Sequence, residues 1–233
     1  MIIRGSKKPR SFKTKGQFIK LANYHMRILI ADDHEIVRKG LKQILLEHYS
    51  NAYVEEASNG EVLVSKALQS DWNIIISDIS MPRMNGLEAL HQIKVSKPTI
   101  PMLMLSIHSE DEYALRAMKA GAHGYLTKDL AQQELVNAVE KVLSGKKFIS
   151  HELAEKIASS LDIDKSSISH ENLSDREFHV FKLLASGISI SEIAASLSLN
   201  VSTISTYRAR IFEKMKMKSN ADVTRYALEK KLI

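Results

Sequence analysis

The chain has 233 residues, 44% of them hydrophobic, enough for one large domain or two ordinary ones with packed cores. It contains no cysteine, which excludes disulfides and thiolate metal sites, and no apolar run approaches the roughly 20 residues that span a bilayer. The formal charge of +6 is unevenly placed: residues 1–25 hold seven Lys/Arg and no acid, so the rest of the chain carries a net −1.

That basic segment, MIIRGSKKPRSFKTKGQFIKLANYH, has no helical or strand periodicity and lacks the apolar stretch of a secretory signal. It reads as a disordered extension, with a basic arm for DNA or another polyanion as the sharper alternative. Without signal, span or cysteine, the expectation is a cytoplasmic protein with no membrane partner. From Met26 an orderly alternation begins. Arg27–Ala31 is a short apolar run, followed by a helical pattern through His48. Strand candidates then fall at 52–57, 73–78, 100–105 and 123–126. Helices are expected over 59–70, 87–95, 110–120 and 132–143, the last two stopped by Gly121 and Gly145. Five such units in about 120 residues predict a parallel sheet covered by helices on both faces. Residues 146–169 are polar, with Ser166, Ser167 and Ser169, and read as a linker with a helical stretch around 152–161. The remainder is helical in pattern, near 175–186, 190–197, 202–217 and 220–230. Residues 26–150 carry 14 basic and 16 acidic side chains, and residues 166–233 carry 10 and 7. A mildly acidic block followed by a mildly basic one points to two domains with different partners.

Acids stand at strand ends. Asp32 and Asp33 follow the first strand, and Asp78 closes the third. In an open parallel sheet, ligands bind at the C-terminal strand edge where strand order reverses. If strands one and three are neighbours, these acids converge and repel, so they need a counterion. Three hard oxygens favour Mg²⁺, which also binds phosphate oxygens. A carboxylate such as Asp78 can act as a nucleophile and form an acyl phosphate. Ser106 offers a hydroxyl at the end of the fourth strand. Lys128 offers an ammonium after the fifth, and Tyr125 lies just before it. Each residue alone has an ordinary structural use as cap, surface charge or packing group. The ordered set is what carries the reading.

The segments ILIADDHEIVRKG, IIISDISMPRMNGLEAL, LMLSIHSED and AGAHGYLTKD resemble the receiver domain of bacterial two-component response regulators, over residues 26–146. The resemblance implies a CheY-like, doubly wound five-stranded sheet. It implies that Asp78 takes phosphate from a sensor histidine kinase. It makes Asp33, Asp78 and the backbone carbonyl of Ser80 the Mg²⁺ ligands, with Asp32 helping through water. Lys128 would contact the phosphoryl group, and Ser106 and Tyr125 would be the switch pair, Tyr125 moving into the space behind Ser106. Ser80 and His108 would tune dephosphorylation.

In the C-terminal part, Ser174 and Glu177 form a capping box, and Gly187 ends that helix. Ser191 and Glu192 are expected to open the next. Two short helices around the turn at 198–201 read as a helix-turn-helix. On the helix from Ser202, the residues Ile204, Ile211 and Met215 form one apolar stripe flanked by Tyr207 and Phe212. The opposite face holds Ser202, Ser205, Thr206 and Ala209, small enough for close approach to base edges. Thr203, Arg210 and Lys214 lie on a flank suited to phosphates, while Arg208 falls near the apolar stripe. Residues 202–218 hold five Lys/Arg against one acid. The stretch from LSDREFHVFKLLASG to the C-terminus resembles the LuxR-type helix-turn-helix. Together with the receiver this resembles the NarL/FixJ subfamily: residues 1–25 an extension, 26–146 receiver, 147–169 linker, and 170–233 an all-α four-helix DNA-binding domain. The implied function is transcription regulation on double-stranded DNA by a homodimer formed on phosphorylation, with no enzymatic activity beyond its own phosphotransfer and dephosphorylation. Two other classes stay open on the residues. One is an Asp-nucleophile phosphohydrolase, which usually has a second acid where this chain has Ser80. The other is a receiver-controlled protein whose helical domain binds protein.

Overall fold

The computed structural model describes residues 26–107, 112–151, 153–155 and 169–233. The basic segment 1–25, His108, the expected helix start at 110–111, most of the stretch expected to be helical over 152–161, and Ser166 and Ser167 lie outside the described residues.

Five strands, β1 (Arg27–Ala31), β2 (Tyr53–Ala57), β3 (Ile74–Asp78), β4 (Met102–Ser106) and β5 (Gly124–Thr127), form one parallel sheet in the order β2-β1-β3-β4-β5. Helices α1 (Glu35–His48), α2 (Gly60–Gln69), α3 (Gly86–Ser96) and α4 (Glu112–Lys119) connect them, and α5 (Ala131–Leu143) follows β5. Strand β4 starts two residues later than the apolar run, because Pro101 has no N–H for the ladder. Strands β3 and β4 are buried throughout, since helices cover both faces. One face carries Ile28, Ile30, Ile76, Leu103 and Leu105 against α1 and α5. The other carries Leu29, Ile75, Met102, Met104 and Tyr125 against α2, α3 and α4.

Strand β2 is an edge and carries charge there: Glu55 pairs with Lys66, and Glu56 with Arg38 and Lys42. The β5 edge is covered by the chain itself. The Tyr125 N–H donates to the Phe148 carbonyl at 3.0 Å, and the Phe148 N–H donates to His123 at 3.0 Å. Thus Phe148, expected in a polar linker, extends the sheet. A Cβ on Gly124 would stand 2.9 Å from both the Phe148 Cβ and Leu103 Cδ1, so this close approach requires glycine. Beyond it, Leu153 is fully buried in the cluster that also holds Tyr125.

The C-terminal part comprises a 3₁₀ turn (His170–Asn172) and helices α6 (Asp175–Ala185), α7 (Ile190–Ser196), α8 (Val201–Met215) and α9 (Asn220–Glu229). Capping boxes start three of them: Ser174 with Glu177, Ser189 with Glu192, and Ser219 with Asp222. The second differs from the expected Ser191. The reciprocal bonds need an acid three residues after the cap, so Glu192 selects Ser189. Helix α8 stops at Met215, two residues early, because Lys216 takes a left-handed conformation with φ 51°. Phe178, Phe181, Leu184, Ile193, Ile204, Ile211 and Val223 build its core, as the apolar stripe requires.

The two parts touch. Arg116 of α4 donates to the carbonyls of His170 (2.6 Å) and Leu173 (2.8 Å), pairs with Asp175 at 3.3 Å, and lies 4.2 Å from the Phe178 ring centroid. Tyr113 reaches His179 Nδ1 at 2.9 Å, and His91 of α3 pairs with Asp175 at 3.2 Å. The loop after β3 joins in, with the Arg83 carbonyl accepting from Arg176 at 3.0 Å. Among the described residues, no helix is long and apolar enough to cross a membrane.

Candidate functional site

Strand β1 pairs with β2 on one side and β3 on the other, so strand order reverses at β1 and β3. The crevice predicted for such a reversal therefore lies where Ala31 pairs with Ser77, immediately before Asp32 and Asp78. The two acids come from strand ends 46 residues apart in sequence and meet on one cation. Lys128 Nζ lies 2.6 Å from Asp32 Oδ2 and 2.9 Å from Asp78 Oδ2. Lys128 is placed by the end of the sheet, its N–H donating to the Ser106 carbonyl at 2.7 Å. On the far side of Asp78, α3 starts unusually close. A Cβ on Gly86 would stand 2.0 Å from the Asp78 carbonyl oxygen, so only glycine lets the helix N-terminus approach the strand. Asn85 caps that helix in a box with Glu88.

Asp78 is 2% exposed and Asp32 is fully buried. Burial lifts the Asp78 carboxyl from 3.8 to about 6; Lys128 opposes the rise, the Asp32 charge adds to it, and the Ser80 N–H helps to hold the ionised form. Burial also works against the Lys128 ammonium, but Asp78 and Asp32 outweigh it and hold its pKa above the ordinary lysine value. Asp33 stands apart from Lys128. Its side chain is 29% exposed and lies 3.0 Å from His34 Nδ1, which is also 3.3 Å from Asp32 Oδ1. Three carboxylates against one ammonium leave two negative charges, and the donors are hard oxygens. Asp32, Asp33 and His34 each offer a ligand atom within 4.8 Å of the others, and Asp78 joins Asp32 across Lys128, so the hard oxygens here fit a divalent cation such as Mg²⁺.

The other expected members are arranged around this centre. Ser106 is fully buried at the end of β4, one residue past Leu105, the strand partner of Asp78. Ser80 lies in the loop after β3, with its Oγ buried. Tyr125 is fully buried, in one cluster with Tyr113 and Leu153. Arg38, in the segment ILIADDHEIVRKG, is a further member that the pattern of strand-end acids does not single out; its guanidinium donates to the Asp32 carbonyl at 2.8 Å. Its only signal was an arginine one turn into the helix after the acid pair.

The second candidate surface is α8. Ser202, Ser205, Thr206, Ala209 and Arg210 are exposed, and Thr203 is half-buried. Ser202, Thr203, Thr206 and Arg210 line one shallow depression with Tyr207. The hydroxyls of Ser205 and Thr206 donate to carbonyls four residues back, at 2.9 and 3.0 Å, which leaves their lone pairs outward as acceptors. Arg208 is engaged within the fold: Nε donates to Asn220 Oδ1 at 2.8 Å, and the guanidinium lies 4.1 Å from the Phe212 ring centroid. Lys214 is held 2.6 Å from Glu177, a buried carboxylate of α6.

Known proteins match along this same division. Residues 28–140 match the family described as "Response regulator receiver domain", and residues 171–227 match "Bacterial regulatory proteins, luxR family". The chain is 34% identical over 204 residues to the response regulator UvrY of Escherichia coli (strain K12), covering 87% of this chain and 94% of that one. It is 31% identical to the response regulator GacA of Pseudomonas aeruginosa, covering 87% and 95%. Among solved structures it is similar to RcsB from Salmonella enterica serovar Typhimurium bound to promoter rprA in the presence of phosphomimetic BeF₃⁻. The TM-score there is 0.57 at 25% identity, covering 86% of this chain and 98% of that one.

Proposed function

The chain belongs to the response regulators that join a receiver domain to a LuxR-type DNA-binding domain, and on that premise we propose that Asp78 is its phosphate acceptor. The observation that carries the proposal is Lys128, whose ammonium bridges Asp78 and Asp32 in the crevice between β1 and β3. Asp78 attacks the phosphorus of a phosphohistidine on a sensor kinase. An acyl phosphate forms and the kinase imidazole departs. Lys128 is placed to pair with a phosphoryl oxygen, and the Ser106 hydroxyl to donate to another. Asp33 and Asp78 side chains and the Ser80 carbonyl would hold Mg²⁺, with Asp32 acting through water. When bound, that ion neutralises charge between carboxylates and phosphoryl oxygens. The chain catalyses only its own phosphotransfer and dephosphorylation, and it works in the cytoplasm.

Residues 26–146 act as receiver, 147–169 as linker and 170–233 as DNA reader. Because Tyr125 is already buried and its N–H is bonded to Phe148, a change at the switch repacks the cluster around Tyr113 and Leu153. That cluster continues into the core of the helical part, so repacking biases how the two parts dock. Released, two chains pair on DNA, where linking two weak readers multiplies affinity. Ser202, Ser205 and Thr206 face base edges, and Thr203 and Arg210 face phosphate. Arg208 and Lys214 support the reading helix through Asn220 and Glu177 before they contact DNA.

The test uses a small phosphodonor and the full chain. Asp78→Asn is expected to take no label, and the phosphorylated parent to select a DNA sequence that the variant does not. Labelling of Asp78→Asn equal to the parent would overturn the acceptor assignment.

A further inference from the structure

Arg38 has no part in the chemistry above, yet it is tied to the acidic loop. It lies on the first turns of α1, with a side chain 12% exposed. The side chain folds back toward the helix start. One end of the guanidinium donates to the Asp32 carbonyl (Nη1, 2.8 Å), and Nε donates to Glu56 Oε2 at 3.1 Å. Glu56 is itself fixed on β2, since its Oε1 accepts from Lys42 at 3.1 Å and its carbonyl accepts from Lys66 at 2.8 Å. The guanidinium therefore spans from β2 to the turn between β1 and α1.

That turn is three residues long, Asp32 to His34. The Asp32 N–H is held by the Ala57 carbonyl at 3.2 Å, and Arg38 holds its C=O. The peptide plane into Asp33 is rigid, so pinning the Asp32 carbonyl fixes ψ of Asp32 and with it the position of the Asp33 backbone. Asp33 needs this most, because Lys128 grips Asp32 and Asp78 and leaves Asp33 to the exposed His34. Arg38 and Glu56 cancel in charge, so the influence of Arg38 on the acids is mainly geometric.

We propose that Arg38 is a positioning residue for the cation site, fixing the Asp32–Asp33 peptide so that the Asp33 carboxylate stays beside that of Asp32. It touches neither cation nor phosphoryl group. This inference rests on the reading of the Asp78 crevice given above. Lysine is a poor substitute, because a single ammonium cannot present two donors in the fixed fork that reaches both Glu56 and the Asp32 carbonyl.

Mn²⁺ serves as a paramagnetic probe of the site, with bound and free ion measured by electron spin resonance on the full chain. Arg38→Met is expected to raise the Mn²⁺ Kd by about 10-fold, the usual scale for losing an outer-sphere support, and Arg38→Lys by a smaller factor. The maximal rate of labelling by a small phosphodonor at saturating metal should stay within about two-fold, because the groups that touch the reacting atoms remain. A purely structural role would lower the melting temperature and leave the Mn²⁺ Kd where it was. An unchanged Kd in a folded Arg38→Met chain overturns the inference. If that variant does not fold, Glu56→Gln decides, since it keeps the side-chain volume and loosens the same anchor: a raised Kd supports the inference and an unchanged one overturns it. A parent chain with no saturable Mn²⁺ binding overturns both this inference and the reading of the crevice, whereas parent binding with unaltered variants overturns this inference alone.

Discussion

Asp78→Asn tests the buried charge at the centre of the crevice by stability rather than by phosphotransfer. Burial raises the Asp78 carboxyl from 3.8 to about 6 in the folded chain. A rise of about two units corresponds to about 3 kcal/mol of preference for the protonated form. The sign follows from linkage. A carboxyl whose folded pKa lies above its unfolded one contributes its full stability below about pH 4, and that contribution is lost as pH rises through about 6. At pH 7 the metal-free chain therefore carries an ionised, buried Asp78 at a cost. Asparagine has nearly the same shape and no charge, and Lys128 keeps Asp32 at 2.6 Å. The variant should be more stable than the parent at pH 7 by about 1–3 kcal/mol, the upper figure reduced by the lost contact with Lys128. The difference should vanish near pH 4. Trp72 is the single tryptophan and is buried in the sheet part, so its fluorescence during urea unfolding in a chelator reports that part alone. Mg²⁺ should then stabilise the parent and not the variant. A variant no more stable than the parent at pH 7, or an advantage that persists undiminished at pH 4, would refute this account of the crevice.

Other outcomes follow from particular contacts. Arg116→Ala removes the donor shared by the His170 and Leu173 carbonyls and the partner of Asp175, worth about 1.5–3 kcal/mol per charged hydrogen bond. The two parts should separate, seen as a larger radius in small-angle scattering; an unchanged radius would show that Arg116 does not hold them. Gly124→Ala places a carbon against Phe148 and Leu103 and should cost about 1–3 kcal/mol. Amide exchange should accelerate at Tyr125 and Phe148, and protection equal to the parent's would contradict the edge pairing. Arg210→Ala should weaken binding to all duplex DNA alike and reduce the salt slope by about one. Lys214→Ala should instead destabilise the helical part by about 1–3 kcal/mol, because it leaves Glu177 buried without its cation. A Lys214→Ala chain of parental stability but weaker DNA binding would reverse these two assignments.

Much of the crevice was legible because its residues sit at element ends. An Asp closing an apolar run, or two opening a helix, marks the rim of a parallel sheet whatever the side chains do next. The apolar stripe of Ile204, Ile211 and Met215 was equally readable, since a helical period fixes which residues share a face. Legibility failed where a side chain serves a distant partner. Lys214 has the pattern of a phosphate-facing cation and Arg208 falls near the apolar stripe, yet neither position names its partner: Glu177 from another helix holds one, and Asn220 and Phe212 hold the other. Phe148 looked like the start of a polar linker, and its pairing with β5 depends on the missing side chain of Gly124. Ser191 was a plausible cap, and only the reciprocal bonds of Ser189 and Glu192 distinguish the two.

The sequence by itself determined the alternation of strands and helices, the helix-turn-helix, and the acids and lysine that Asp78 requires, because these depend on local period and order along the chain. Tertiary structure decided what those groups do to one another. Packing two strand ends side by side brought Asp32 and Asp78 onto Lys128. Excluding water there raised the Asp78 carboxyl, and folding Arg38 back across β2 pinned the loop that carries Asp33. Charge coupling falls off with distance and rises as water is excluded, and neither quantity is written in sequence order.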